Sequence, residues 1–126
     1  MTENSGKFVK LEAIIKPFQL DDVKDAVREL GVPSMTIIGS PDKDGPRVVT
    51  GIGQQRGHTK RYRGSEYVVD ELPKTIVYVI VPEELSDRVA GAISRAAKTG
   101  SVGDGLVYAY PLNFVKEIGS GQPYQP

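Results

Sequence analysis

The sequence predicts an α+β domain, a ferredoxin-like βαββαβ sandwich with a long loop between its second and third strands. A period-two apolar run at Phe8 to Lys16 is followed by helical spacing at Leu20 to Leu30. A strand pattern followed by a helix pattern returns at Thr75 to Val81 and Glu83 to Lys98. Between the halves lies a glycine-punctuated, basic segment too polar to be core.

In FVKLEAIIK, Val9, Leu11, Ala13 and Ile15 share one face and Lys10, Glu12 and Lys16 lie mostly on the other, until Pro17 stops the strand. Leu20, Val23, Val27 and Leu30 then form a helical stripe. Asp21 and Asp22 sit near the positive end of the helix dipole, as a solvated helix start with Asp25, and Gly31 is placed to end the helix. A second strand is expected at Ser34 to Ile38. The third, TIVYVIV, is almost continuously apolar and β-branched, which fits burial on both sides. After Pro82, Leu85, Val89, Ile93 and Ala96 form the second helical stripe and Gly100 supplies the stop; a last strand runs from Leu106 to Tyr110. Helices on one side leave the other side of the sheet bare, so it needs a cover or stays half-apolar in a monomer.

With 126 residues, 39% hydrophobic and 25% charged, one soluble domain is expected, with no apolar run long enough to enter a bilayer. Residues 1–6 and 119–126 read as flexible ends around a domain spanning 7–118, because MTENSGK lacks a secretion pattern and GSGQPYQP has the composition of a loose tail. The lack of cysteine removes disulfides, thiolate nucleophiles and zinc-cysteine sites, and fits a cytoplasmic location. A formal net charge of zero argues against a nucleic-acid partner. The βαββαβ order is also the scaffold of RNA-binding modules, which remains the alternative, although only Tyr78 and Tyr108 occupy plausible strand positions for base stacking.

Two glycine-rich stretches carry the chemistry. Gly51-Ile52-Gly53 and Thr99 to Gly105 (TGSVGDG) are rich in backbone N–H groups able to converge on one anion, which points to a phosphate-bearing ligand; for the first stretch the other reading is a flexible hairpin stem. Arg56, Lys60, Arg61 and Arg63 follow with no acid among them, either as a solvated loop face or as a surface for an acidic partner. His58 is the only histidine, and no metal cluster or pair of nucleophile and base is in view, so neither a catalytic residue nor a metal site is assigned and no enzyme is expected. Lys74 reads from position alone as a solvent-exposed lysine at a strand start.

The words IIKPF at Ile14 to Phe18, GHT at Gly57 to Thr59, YRGSEYVVD at Tyr62 to Asp70, LPK at Leu72 to Lys74 and TGxxGDG at Thr99 to Gly105 stand in an order that resembles the PII signal-transduction proteins over about Phe8 to Tyr110. SPDKDGPRVVT (Ser40 to Thr50) makes the long loop, the T-loop at about 39–73, longer than is usual in that family. The resemblance implies a homotrimer whose neighbouring subunits cover the bare sheet face. It also implies an adenine nucleotide at the subunit cleft, lined by Ile14, Thr36, Gly51, Ile52, Gly53, Gln54, Gln55 and Ile80 of one chain and Thr99, Gly103, Asp104 and Gly105 of the next.

Where the family usually carries basic residues around the phosphates, this chain has Gln54, Ser101, Leu106, Glu117 and Gly119, with Arg47 and Arg56 the remaining candidates for that charge. Losing several charge-assisted hydrogen bonds weakens triphosphate binding by orders of magnitude, so ADP or AMP is expected to compete well with ATP. These are regulatory ligands, and no resident cofactor is implied. Gln55, Arg56, Gly57 and Lys74 are the effector-anion candidates, with bicarbonate favoured over 2-oxoglutarate. Tyr67 resembles the family's uridylylation site and Ser65 a phosphorylation site; either change adds negative charge to a basic tip. The implied role is regulation of a membrane transporter or metabolic enzyme through the T-loop, in carbon and nitrogen metabolism.

Overall fold

A strand that buries alternate residues begins the structure, a computed structural model that describes residues 7–39, 49–52, 59–62, 65–68 and 71–125. Strand β1 (Phe8–Ile15) places Val9, Leu11, Ala13 and Ile15 in the core, as the period-two pattern requires. Pro17 ends it and opens a single 3₁₀ turn, Pro17–Gln19, closed by the Gln19 N–H donating to the Lys16 carbonyl at 2.9 Å. Helix α1 (Leu20–Glu29) follows with Leu20, Val23 and Val27 buried, Asp21 and Asp22 in its first turn and Arg28 in its last. Gly31, at φ 82°, caps it by donating to the Arg28 carbonyl at 2.9 Å.

Strand β2 (Thr36–Ile38) is shorter than the run from Ser34 predicts. Among the described residues, the long segment beyond it contains three further strands. β3 (Val49–Ile52) pairs with β6 (Glu71–Pro82), Val49 lying opposite Lys74 and Ile52 opposite Glu71. β4 (Thr59–Tyr62) and β5 (Ser65–Val68) pair with each other. Polar composition hid these strands, but valine, threonine, isoleucine and tyrosine recur in them and suit extended pairing. β6 therefore starts four residues before the predicted Thr75.

A 3₁₀ turn at Glu83–Leu85 leads into α2 (Ser86–Ala97), which buries Val89, Ala92, Ile93 and Ala97. β7 (Gly105–Leu112) completes the main sheet in the order β2-β6-β1-β7, every neighbouring pair antiparallel. With β1 and β6 in the middle and both helices packed on one face, this is the predicted ferredoxin-like α+β layout.

In the single chain TIVYVIV is buried on one side only. Val77, Val79 and Val81 join the core, whereas Ile76, Tyr78 and Ile80 are half-buried on the opposite face. That face carries a polar cluster. Glu12 accepts hydrogen bonds from Tyr108 (2.7 Å) and Tyr110 (2.9 Å) and pairs with Lys10 at 3.1 Å, while the Lys10 ammonium stands 4.0 Å from the Tyr78 ring centroid.

The C-terminal stretch, assigned from composition to a loose tail over 119–126, is described as far as Gln125. Glu117 donates to the Gln122 carbonyl at 2.8 Å, Tyr124 donates to the Val115 carbonyl at 2.9 Å, and the Tyr124 ring lies 5.5 Å from that of Phe8. An aromatic anchor returns this segment to the start of β1, a feature that glycine and proline content does not convey. Among the described residues no helix is long and apolar enough to cross a membrane.

Candidate functional site

Antiparallel pairing of β1 with β7 puts Gly105 opposite Ile15, so the turn leaving α2 falls directly on the end of β1. Gly105 has φ 111°, and a Cβ there would stand 1.8 Å from the Ile14 carbonyl oxygen; glycine alone allows this approach. Lys16, the first residue after β1, thereby meets the turn. Its ammonium donates to Thr99 Oγ1 at 2.9 Å and pairs with Asp104 Oδ1 at 3.1 Å.

Asp104 organises the turn. Its carboxylate accepts the N–H of Thr99 at 3.0 Å, the N–H of Gly100 at 3.1 Å and the Thr99 hydroxyl, while Thr99 Oγ1 accepts the Ser101 N–H at 3.1 Å. Burial by itself pushes the Asp104 carboxyl up. The hydrogen bonds from Thr99, Lys16 and the Thr99 and Gly100 amides outweigh burial and hold it well below the usual carboxylate range. This narrows the expectation of free amides in TGSVGDG. Those of Thr99, Gly100 and Ser101 are satisfied within the turn.

Lys74 also departs from its positional reading. It is 1% exposed, not solvated, and its ammonium donates to the Gly103 carbonyl, with Gly103 at φ 87°. Burial pushes the Lys74 pKa down, nearby Lys16 adds to the fall and Asp104 opposes it. The next residue, Thr75, donates to the Gly39 carbonyl at 3.0 Å. Two successive residues of β6 thus hold the glycine turn and the entrance of the long segment.

Ile14, Lys74, Thr99, Gly103, Asp104 and Gly105 are therefore gathered at one end of the sheet. Beside them opens a cleft of about 400 Å³ whose walls include Ile14, Ala97, Lys98, Asp104, Gly105 and Leu106. Thr36 and Ile80 line a separate cleft of about 310 Å³ whose walls also include Lys10 of β1 and Tyr78 of β6. Gly51 and Ile52 lie in β3 opposite Leu72 and Glu71, while Ser65 and Tyr67 lie in β5 opposite Tyr62 and Lys60. Gly53, Gln54, Gln55, Arg56 and Gly57 lie outside the described residues.

Lys16 is the site residue that sequence reasoning missed. The signal was present: it precedes a proline, which holds it extended at the end of β1, and that end abuts the glycine turn once β7 is paired. Around the site no group of three or more His, Cys, Asp or Glu able to hold a metal occurs among the described residues. The open sheet face does bring Tyr78 and Tyr108 together, as RNA stacking requires. However, Glu12 lies between them in the register and holds both tyrosine hydroxyls of β7 and the Lys10 ammonium, which leaves that face no free cation for a phosphate among the described residues.

The comparisons with known proteins agree with this geometry. The sequence profile of the family described as "Nitrogen regulatory protein P-II" matches residues 8–122. "Nitrogen regulatory protein P-II 1" of Escherichia coli (strain K12) is 42% identical over 113 residues, covering 90% of this chain and 93% of that protein. "Nitrogen regulatory protein P-II" of Haemophilus influenzae and of Azospirillum brasilense are each 43% identical over 113 residues, again 90% of this chain and 93% of theirs. With most of both chains aligned, and the glycine turn and its lysines placed by a ferredoxin-like sheet, the chain belongs to the nitrogen regulatory protein P-II family, a group of signal-transducing regulators rather than enzymes.

Proposed function

We propose that this protein is a homotrimeric sensor that binds an adenine nucleotide and a small anion at the glycine turn and reports occupancy through its long loop to a transporter or enzyme. The observation that carries this reading is the Lys74 to Gly103 hydrogen bond, which ties the stem of the long segment to the turn. A ligand that competes for the Lys74 ammonium acts on both ends of the tie, and the effect on the loop is reciprocal with the effect on the ligand.

Charge sets the ligand order. Lys16 and Lys74 at the turn and Lys98 on the cleft wall stand against the Asp104 carboxylate, and Leu106 on the same wall adds no charge. That complement suits a mono- or diphosphate better than a triphosphate, so ADP and AMP compete with ATP. Bicarbonate, a monoanion, draws on less of that charge than the dianion 2-oxoglutarate, which is why it is favoured as the second effector. Trimerisation covers the Tyr108, Tyr110 and Leu106 face, which a monomer leaves exposed. The basic residues Arg56, Lys60, Arg61 and Arg63 dock on an acidic partner surface, and a modification of Tyr67 or Ser65 weakens that docking.

Calorimetric titration with AMP, ADP and ATP, with and without bicarbonate or 2-oxoglutarate, tests the ligands, and sedimentation tests the trimer. ATP binding ten or more times tighter than ADP defeats the ligand order. Single chains indifferent to every adenine nucleotide defeat the whole reading.

A further inference from the structure

Among the described residues Lys74 is the one charged residue buried in the fold, and its ammonium donates to a neutral acceptor, the Gly103 carbonyl. Asp104, the next residue of the turn, pairs instead with Lys16 at 3.1 Å, and Lys16 also donates to Thr99 Oγ1 at 2.9 Å. Two lysines are thus anchored on successive residues of one turn, and only the more exposed of them, Lys16, has a carboxylate partner among the described residues.

We propose that the Lys74 amine adds dissolved carbon dioxide to form a carbamate, with Lys16 holding the new carboxylate. The inference deepens the sensor reading above and rests on it for its consequence in the long loop; the reaction itself needs only the site. The step balances without an oxidant. The Lys74 ammonium gives a proton to solvent, and the nitrogen lone pair attacks the carbon of carbon dioxide. An N–C bond forms, one C–O π pair moves onto oxygen, and the nitrogen sheds a second proton to solvent. A cation has become an anion.

The arrangement favours that product at each stage. A carbamate forms from a neutral amine, and a lysine shielded from water beside a second cation supplies one, whereas a solvated lysine is almost wholly protonated at neutral pH. Burial and Lys16 push the Lys74 pKa down in that direction. Carbon dioxide is small and uncharged, so its entry desolvates no charge, and the cleft of about 400 Å³ opens beside Asp104 and Gly105, which follow Gly103 in the chain. The carbamate nitrogen keeps one N–H for the Gly103 carbonyl. Its carboxylate competes with Asp104 for Lys16 through a charge-assisted hydrogen bond, which loosens the turn and the β3–β6 stem together.

The test uses the full chain, equilibrated with isotopically labelled carbon dioxide and bicarbonate and then treated with triethyloxonium, which fixes a carbamate as a stable ethyl ester for peptide mass spectrometry. Label should concentrate at Lys74, with at least about tenfold less at the exposed Lys98 and Lys116. Lys16→Met should lower the trapped fraction about tenfold or more, and Lys16→Arg should keep most of it. Labelled carbon dioxide should react faster than labelled bicarbonate, and added carbonic anhydrase should erase the difference. Should Lys16→Met fail to fold, the wild-type labelling and its dependence on the carbon source decide. No label at Lys74, label spread evenly over the exposed lysines, or equal rates from the two sources overturns the carbamate, and the sensor then stands if bicarbonate still alters nucleotide affinity. A Lys16→Met variant that labels like wild type overturns the role of Lys16. Label at Lys74 in a protein that ignores every adenine nucleotide keeps the carbamate and overturns the sensor.

Discussion

The Lys74 ammonium donates to the backbone carbonyl of Gly103, 29 residues further along the chain. Lys74 also lies opposite Val49 in the pairing of β6 with β3, the first strand of the long segment among the described residues. The hydrogen bond therefore joins the glycine turn to β6 at the point where β6 pairs with β3. Thr75 adds a second tie, to Gly39 at the entrance of the segment. A chain that kept an ammonium out of water here for stability alone would do better with an apolar residue.

Replacing Lys74 separates those roles. Lys74→Met keeps a similar stem and removes a buried charge, so its urea unfolding midpoint should equal or exceed that of wild type. Bicarbonate and 2-oxoglutarate should no longer alter nucleotide affinity in this variant. The pH dependence has a definite sign. The folded-state pKa of Lys74 lies below the ordinary 10.5, so the native state gives up its proton more readily and wild type gains stability as pH rises toward that value. The methionine variant should lack that rise. A loss of more than about 3 kcal/mol would instead make Lys74 a structural pillar.

Gly105 should tolerate no side chain. The Cβ of Gly105→Ala meets the Ile14 carbonyl oxygen at 1.8 Å and the residue keeps φ 111°, so strain and overpacking add. Together they cost about 2–6 kcal/mol in denaturant unfolding. Gly119→Ala is the control: nothing lies within 4 Å of its added Cβ, and its effect should stay within about 0.5 kcal/mol. Equal effects at the two positions would contradict the close approach of β7 to β1.

Periodicity made the main sheet and both helices legible, because Val9, Leu11, Ala13 and Ile15, or Val89 and Ile93, announce a buried face without knowing what covers it. Strands β3, β4 and β5 were illegible for the opposite reason: their composition carries no apolar period, and residues such as Lys60 and Arg61 read as solvated loop. In the site, the glycines were visible but their use was not. TGSVGDG displays potential donors, whereas the acceptor that takes three of its polar hydrogens is its own Asp104. Burial of Lys74 depends on a carbonyl far away in sequence, which no local pattern around LPK encodes.

Asp104 should govern acid stability. Its folded-state pKa lies below the ordinary 3.8, so its contribution is present above that value and fades as pH falls beneath it. Asp104→Asn removes a charged acceptor and should cost about 1.5–3 kcal/mol at neutral pH. Unfolding midpoints measured from pH 7 downward should converge for the two proteins in the acid limb, because wild type loses there what the variant already lacks. Parallel curves would mean that the carboxylate charge contributes nothing to the turn.

The ligand order should yield to added charge. Leu106 is 55% exposed on the wall of the larger cleft, beside Asp104 and Gly105, so a longer polar side chain fits without disturbing the core. The family usually has a lysine there and another at the position of Ser101. One charge-assisted hydrogen bond is worth about 1.5–3 kcal/mol, so Leu106→Lys should tighten ATP binding about 10- to 100-fold and ADP binding less. Ser101→Lys added to it should widen the gap again. Competition calorimetry of ATP against ADP reads the ratio directly, and sedimentation of the same samples checks that assembly is unchanged. An ATP to ADP ratio that stays at the wild-type value in the double variant would show that missing cations do not set the preference, and that a ligand ranking built on Leu106 and Ser101 is wrong.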